Sequence, residues 1–267
     1  MTPTIMQSPV DLSVSSGVAT ITLNRPERLN ALSREMLLQL QDFITQVAKD
    51  DAAKAVLICA AGRAFCVGQD LSERDPRKFE EPFDLEALQH ELYHPVVRNL
   101  AELEKPVVVA INGLAAGAGV GIALAGDVII ASDTTRLLFS FAKVGLSVDA
   151  GVGWHLVRAL GDAKAKALMM LGGELSAQEA ERYGLISNIV SEDNLSDIAH
   201  ATATQLAQGP ATALRSIKKA VAKVSQVRSF AEYLTCEAEL QGNTGRSPDY
   251  REGVLAFLEK RQPKFGV

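Results

Sequence analysis

The stretch PVVVAINGLAAGAGVGIALAGDVIIAS, residues 106–132, decides the fold class. Its first part, PVVVAIN (106–112), is a short continuous apolar run rich in β-branched residues, the pattern of a strand buried on both faces. A glycine-rich turn follows, then a short apolar helix, VGIALAG (120–126), then a second buried strand, DVIIAS (127–132). Two buried strands joined through a turn and a helix belong to an α/β protein with a parallel or mixed sheet.

The chain upstream reads the same way. GVATITLN (17–24) alternates apolar and polar positions like a half-buried strand, and Arg25-Pro26 ends it. Ser33 can cap a helix whose Met36, Leu37, Leu40, Ile44 and Val47 share one face. KAVLICA (54–60) is a further buried strand, giving a strand–helix–strand unit with a right-handed crossover expected. Residues 61–83 hold glycine, charges and two prolines and read as a loop, a common seat of chemistry. A helix from about 84 to 104 carries Pro95, which predicts a kink near Tyr93-His94.

Beyond about 150 the pattern turns helical: WHLVRAL, AKAKALMML and a capping box, Ser176-x-x-Glu179, whose helix ends at Gly184. LISNIV (185–190) is one late strand. Helices follow at about 195–207, 210–224, 228–241 and 248–261.

Composition narrows the function classes. With 27 basic and 32 acidic side chains the net charge is −5, which argues against a nucleic-acid partner. No apolar run is long enough to cross a membrane, and the N-terminus lacks a basic segment followed by an apolar one, so a cytoplasmic protein without a membrane partner is expected. Cys59, Cys66 and Cys236 form neither a disulfide framework nor a zinc motif, so no metal is expected.

Two glycine-containing turns each follow a buried strand: AAGRAFCVGQDL (60–71) and INGLAAGAG (111–119). In parallel sheets ligands bind beyond the carboxyl ends of strands, where helix N-termini present free amides. If two such amides converge on one carbonyl oxygen, they stabilise the charge of an enolate; losing one donor costs about 3–4 kcal/mol of barrier. The same turns also suit an ordinary packed α/β sheet. Gly117-x-Gly119-x-Gly121 brings its third glycine one position early for a dinucleotide fingerprint, and no G-x-S-x-G, Walker A or H-E-x-x-H motif occurs.

Five stretches in order, LNRPERLNAL (23–32), GRAFCVGQDL (62–71), AINGLAAGAGVGIALAGDVIIAS (110–132), KVGLSVDAGVGWHLVRALG (143–161) and GRSPDYREGVLAFLEKRQPKF (245–265), resemble the crotonase superfamily of enoyl-CoA hydratases and isomerases. The resemblance implies a spiral of ββα units with a helical C-terminal trimerisation region, divided as a core with the acyl-CoA site at 1–195 and an oligomerisation or lid region at 196–267. It implies an acyl-CoA substrate, no separate cofactor because coenzyme A belongs to the substrate, and a homotrimer or dimer of trimers. Val67 and Ala118 would supply the two oxyanion amides. Arg28, Leu29 and the Ala64–Leu71 loop, with Phe65, Gly68, Gln69 and Asp70, together with Gly117 would line the path of CoA, and Lys260 would meet a neighbouring subunit's CoA phosphates or face solvent.

Hydratases of the superfamily use two glutamates, and the corresponding positions here are Gly121 and Lys143. Water activation and proton delivery each need a positioned acid or base, so hydration by that pair is not expected. Asp149 remains. The ring-1,2-epoxyphenylacetyl-CoA isomerases have an aspartate there, in G-L-x-P-D-x-G-G-x-W; this chain departs at Val148 and Val152. As a proton shuttle Asp149 needs a raised pKa, expected from burial among Phe139, Phe141 and Trp154. Otherwise it is an N-cap of the next helix. An isomerase is therefore the leading expectation, with a hydrolase or hydratase-like enzyme on the same site, or a non-catalytic acyl-CoA binder, as alternatives. His94 is a candidate for the acyl pocket or the surface, His90 for its rim, Cys66 for packing, and Asp70 for fixing the loop or meeting CoA. Phe79, Phe83, Leu88 and Tyr93 are candidates for shaping the acyl pocket.

Overall fold

The computed structural model describes residues 8–78 and 83–266. Strands β1 (Val10–Ser15) and β2 (Val18–Leu23) form an antiparallel hairpin. Ser16 and Gly17, both at positive φ, make its two-residue turn, the geometry that matches strand twist. β1 was not anticipated. From β2 the chain runs through α1 (Arg34–Lys49) to β3 (Ala55–Ala60), which lies parallel to β2. Ser33 caps α1 by accepting from the Met36 amide, and the five apolar residues picked from periodicity are its buried face.

From β3 onward the chain repeats one step. β3 is followed by β4 (Ala64–Cys66), β5 (Val107–Ile111) by β6 (Leu114–Ala116), and β7 (Val128–Ser132) by β8 (Arg136–Leu138). Each pair gives one strand to each of two sheets. β9 (Glu174–Ser176) and β10 (Asn188–Val190) complete them, in the orders β1-β2-β3-β5-β7-β10 and β4-β6-β8-β9. The result is the expected α/β spiral. β4, β6, β8 and β9 have three residues each, too few to show a period, and were not foreseen. Of LISNIV only the last three residues form a strand; Leu185 and Ile186 are core residues of the approach to it.

The apolar runs are explained by burial on both faces. In β5, Val107, Val109 and Ile111 join the main core with α1, α3 (His94–Glu102) and α4 (Ala118–Leu124), whereas Val108 and Ala110 point the other way. That second face is covered by α8 (Leu195–Ala207) through Leu195, Ala199 and Ala203, a stripe of four-residue spacing. By packing, α8 belongs with the sheet. α9 (Ala211–Lys223) and α10 (Phe230–Gly245) bury no residue, and α11 (Pro248–Leu258) buries only Ala256.

The interruption expected near Tyr93-His94 is a π-helical turn, Gln89–Tyr93, between α2 (Leu85–Leu88) and α3 (His94–Glu102). Pro95 sits in the first turn of α3, where a missing N–H leaves few bonds unmade. Between β6 and β7 lies α4 (Ala118–Leu124), and α5 (Val152–Leu160), α6 (Asp162–Met170) and α7 (Ala177–Arg182) follow β8. The capping box at Ser176 and Glu179 is formed in both directions. No described helix is long and apolar enough to cross a membrane.

Candidate active site

β4 and β6 are parallel neighbours, so the turns that follow them leave the sheet at the same edge. Glycine lets the turns touch. Gly68 has φ +84°, and a Cβ there would lie 2.8 Å from the Ala116 carbonyl oxygen and 3.4 Å from the Ala118 nitrogen. At Gly119 a Cβ would strike Cys66, 2.8 Å from its sulfur. Side chains at these two positions would force the turns apart.

Ala118 is the first residue of α4, where an amide has no intrahelical acceptor and points out of the helix end. The Val67 amide is engaged differently, donating to the Leu29 carbonyl at 3.2 Å. Leu29 and Asn30 are both left-handed, at φ 52° and 54°. The fully buried Asn30 holds that corner. Its Nδ2 donates to the carbonyls of Ala61 (2.9 Å) and Ala64 (2.8 Å), and its Oδ1 accepts from the Arg25 amide (2.8 Å). Asn30 was not singled out in the sequence, although it lies within the LNRPERLNAL stretch.

The two turns and Asp149 open onto one hollow of about 70 Å³, lined by Val67, Gly68, Gln69 and Leu71 from the first turn and Gly117 and Ala118 from the second. Phe141, Val144 and Leu146 supply an apolar wall. A larger hollow of about 540 Å³ lies between α9 and α10, lined mostly by alanine, leucine and isoleucine. The chemistry favours the smaller one, because only there do amides, a carboxylate and apolar wall converge.

The N-cap reading of Asp149 is overturned. α5 starts from Gly151 with no side-chain cap, and the Asp149 carboxylate turns to two glutamines instead. Its Oδ2 accepts from Gln69 Nε2 (2.8 Å) and Gln89 Nε2 (3.1 Å), while its buried Oδ1 has no partner among the described residues. Burial pushes the carboxyl above the usual aspartate range, against the bonds from Gln89 and Gln69 and the charge of Arg74. The expected apolar surroundings need correcting. Phe139 and Phe141 are buried, but Trp154 is 59% exposed and stacks against the Arg158 guanidinium, because it lies on the outer face of α5.

Neither hydratase position carries a carboxylate, and the first is closed to one. A Cβ on Gly121 would fall on the Ala150 carbonyl and within 2.6 Å of the Ala150 Cβ. Ala150 itself is left-handed, at φ 49°, which brings its backbone against α4. Lys143 is exposed, and its stem lies over Gly172 rather than along the hollow.

The remaining expectations divide. Asp70 fixes the loop: it caps the turn Leu71–Arg74, accepts from the Ser72 amide and hydroxyl, and pairs with Arg25 at 3.0 Å. Although burial opposes its charge, Ser72 and Arg25 outweigh that and hold its carboxyl below the usual range. Ala64 and Phe65 turn their side chains into the core, leaving only backbone for a ligand. Cys66 is fully buried and its thiol is pushed up to about 12, which suits packing and not nucleophilic attack. His94 and His90 meet edge to face at 5.2 Å, and neither lines the hollow. Lys260 and Arg28 are exposed and also lie outside its lining. Tyr93 is buried beside Arg74, whereas Phe79 lies outside the described residues. Gln89 and Arg74 carried no motif; nothing in sequence joins Gln89 to a carboxylate 60 residues away.

Comparison with known proteins finds relatives over nearly the whole chain. The model of the enoyl-CoA hydratase/isomerase family matches residues 13–267. The chain is 44% identical to the 1,2-epoxyphenylacetyl-CoA isomerase of Escherichia coli over 94% of its own length and 96% of that protein. It is 39% identical to a probable enoyl-CoA hydratase of Rhodobacter capsulatus, over 94% and 95%. Among solved structures, a putative enoyl-CoA hydratase/isomerase from Mycobacterium abscessus superposes with a TM-score of 0.88 at 36% identity, covering 96% of this chain and 98% of that one.

Proposed function

Because the chain belongs to the enoyl-CoA hydratase/isomerase family, the crotonases, we propose that it is an acyl-CoA isomerase, moving a double bond or opening a ring epoxide on a CoA thioester, with Asp149 as proton shuttle. The observation that carries this is the single hollow in which Ala118, Val67 and Asp149 meet while neither hydratase position holds a carboxylate and the first is closed to one.

The thioester oxygen would sit at the N-terminus of α4 and accept from the Ala118 amide, with the helix end favouring the developing negative charge. Val67 is the second donor, its amide shared between the Leu29 carbonyl at 3.2 Å and the thioester oxygen in a three-centre bond. Polarised in this way, the thioester releases an α or γ proton to the Asp149 carboxylate, which lines the same hollow. The dienolate is held by the amides, and Asp149 returns the proton at the other carbon. One carboxylate suffices for that sequence, since the same group is base and then acid. Burial brings its pKa nearer the operating range.

As in the resemblance, the division into a core at 1–195 and a helical region at 196–267, with α8 of the latter packed on the core sheet, a cytoplasmic setting and a trimer or dimer of trimers are part of this proposal. Ile217, Val221, Phe230, Phe257 and Leu258 on α9–α11 are exposed, an apolar surface that supports contact between copies. Lys260, just beyond α11, is then a CoA phosphate ligand from a neighbouring copy. The name of the Escherichia coli relative supports an isomerase and that of the Rhodobacter relative a hydratase; Gly121 and Lys143 favour the former. Incubation with a 3-enoyl-CoA in heavy water tests this. Deuterium at the α and γ carbons with double-bond migration supports it, and release of free CoA or a hydroxyacyl product counts against it.

A further inference from the structure

Asp149 is held by a network that none of the recognised motifs announces. Arg74 carries only donors; one guanidinium nitrogen bonds Gln69 Oε1 and the other bonds the Tyr93 hydroxyl at 3.0 Å. With its oxygen taken by a donor-only group, Gln69 can present only its Nε2 to Asp149. Gln69 is therefore a fixed donor. Gln89, in the π-helical turn, is different: its Nε2 meets the same Oδ2, but its Oε1 is buried with no partner among the described residues. Nothing pins that amide in one orientation.

A proton shuttle must exist as carboxylate and as acid within each turnover. The carboxylate only accepts, whereas the acid must donate its O–H. We propose that Gln69 and Gln89 are positioning residues with opposite assignments: Gln69, locked by Arg74, permanently holds the carboxylate, while Gln89 turns its amide to donate to the carboxylate and accept from the acid. The turn exchanges two atoms of similar size about the last side-chain torsion, so it needs no backbone movement. Both protonation states of Asp149 are then hydrogen-bonded, and the orphaned Gln89 Oε1 is the acceptor waiting for the acid form. The charged and titratable groups facing Asp149 are Arg74, from the turn Leu71–Arg74, and Tyr93, from the π-helical turn; Tyr93 in turn is raised by burial above all.

This rests on Asp149 being the shuttle, and the experiment separates the two claims. The α-proton exchange of an enoyl-CoA in heavy water is followed against pH for Gln89→Met, Arg74→Met, Arg74→Lys and Asp149→Asn. Gln89→Met and Arg74→Met should each lower kcat by about tenfold, the scale on which orienting partners act, with KM nearly unchanged. Arg74→Met removes a group that favours the ionised form, so its acid limb should move up by about half a unit to one unit, whereas Gln89→Met removes a partner of both forms and should move the limb less. Arg74→Lys, still a donor, should restore most of the limb's position. In the unsubstituted protein, the Gln89 side-chain amide resonances should shift with the Asp149 titration, and those of Gln69 should keep one hydrogen-bonded environment. An inactive Asp149→Asn together with an unchanged rate in Gln89→Met and unchanging Gln89 amide resonances overturns the proposal and spares the shuttle. Exchange that persists in Asp149→Asn overturns the shuttle itself.

Discussion

Replacing Gly121 by alanine sets two magnitudes against each other. Gly121 lies in the middle of α4, and on helix propensity alone alanine should stabilise by about 1 kcal/mol. The structure predicts the opposite sign. The added Cβ would lie 2.6 Å from the Ala150 Cβ, roughly 1 Å inside ordinary carbon–carbon contact, and would also meet the Ala150 carbonyl. Both residues are fully buried, so relief must come from the backbone of Ala150. Overpacking of this kind costs about 1–3 kcal/mol, and the displaced residue is the neighbour of Asp149. Gly121→Ala should therefore lose up to about 2 kcal/mol net in urea unfolding with an unchanged m-value. A shift of about 1 Å in the carboxylate should also lower kcat by about 10²-fold. A variant as stable as the parent and fully active would refute the claim that Ala150 closes the first hydratase position. By the same reasoning Gly121→Glu creates no hydratase, since its carboxylate cannot enter the hollow.

Three further outcomes follow from particular residues. Because burial raises Asp149 and the base must be ionised to act, the acid limb of kcat/KM should lie above the ordinary aspartate value; the raised folded-state pKa also means that the parent loses stability relative to Asp149→Asn as pH rises through it, so a limb at or below 3.8 would contradict the burial argument. Gly68→Ala forces a Cβ to 2.8 Å from the Ala116 oxygen at φ +84°, and should cost about 1–2 kcal/mol of strain and a large share of kcat, read by denaturation and exchange assays. Ser176→Ala removes the hydroxyl that accepts from the Glu179 amide and donates to its carboxylate, keeps the backbone half of the capping box, and should lose about 1 kcal/mol with unchanged kcat; a fall in activity would mean that α7 is coupled to the site.

What could be read from sequence depended on how far a signal extends along the chain. α1 was legible to the residue because sixteen positions carry one apolar face and a serine cap. β3, β5 and β7 were legible as apolar runs, and the alternation of Val107, Val108 and Val109 between two clusters shows why the run is continuous. The second sheet was not, because its strands are three residues long and are defined by partners distant in sequence. At the site, Val67, Ala118 and Asp149 were found through motifs, and the hollow unites them. Gln89 and Arg74 were missed because a glutamine in a helix and an arginine in a charged loop look like surface. Trp154 was misplaced for a related reason: WHLVRAL fixes a helix but not which face the core takes.

The central claim is that Asp149 moves the proton while the backbone amides hold the thioester. The direct measurement is turnover and CoA-thioester affinity of Asp149→Asn, whose side chain keeps the size of the original and loses only the ability to accept and return a proton. Turnover should vanish while affinity stays nearly intact. Unchanged turnover would contradict the account.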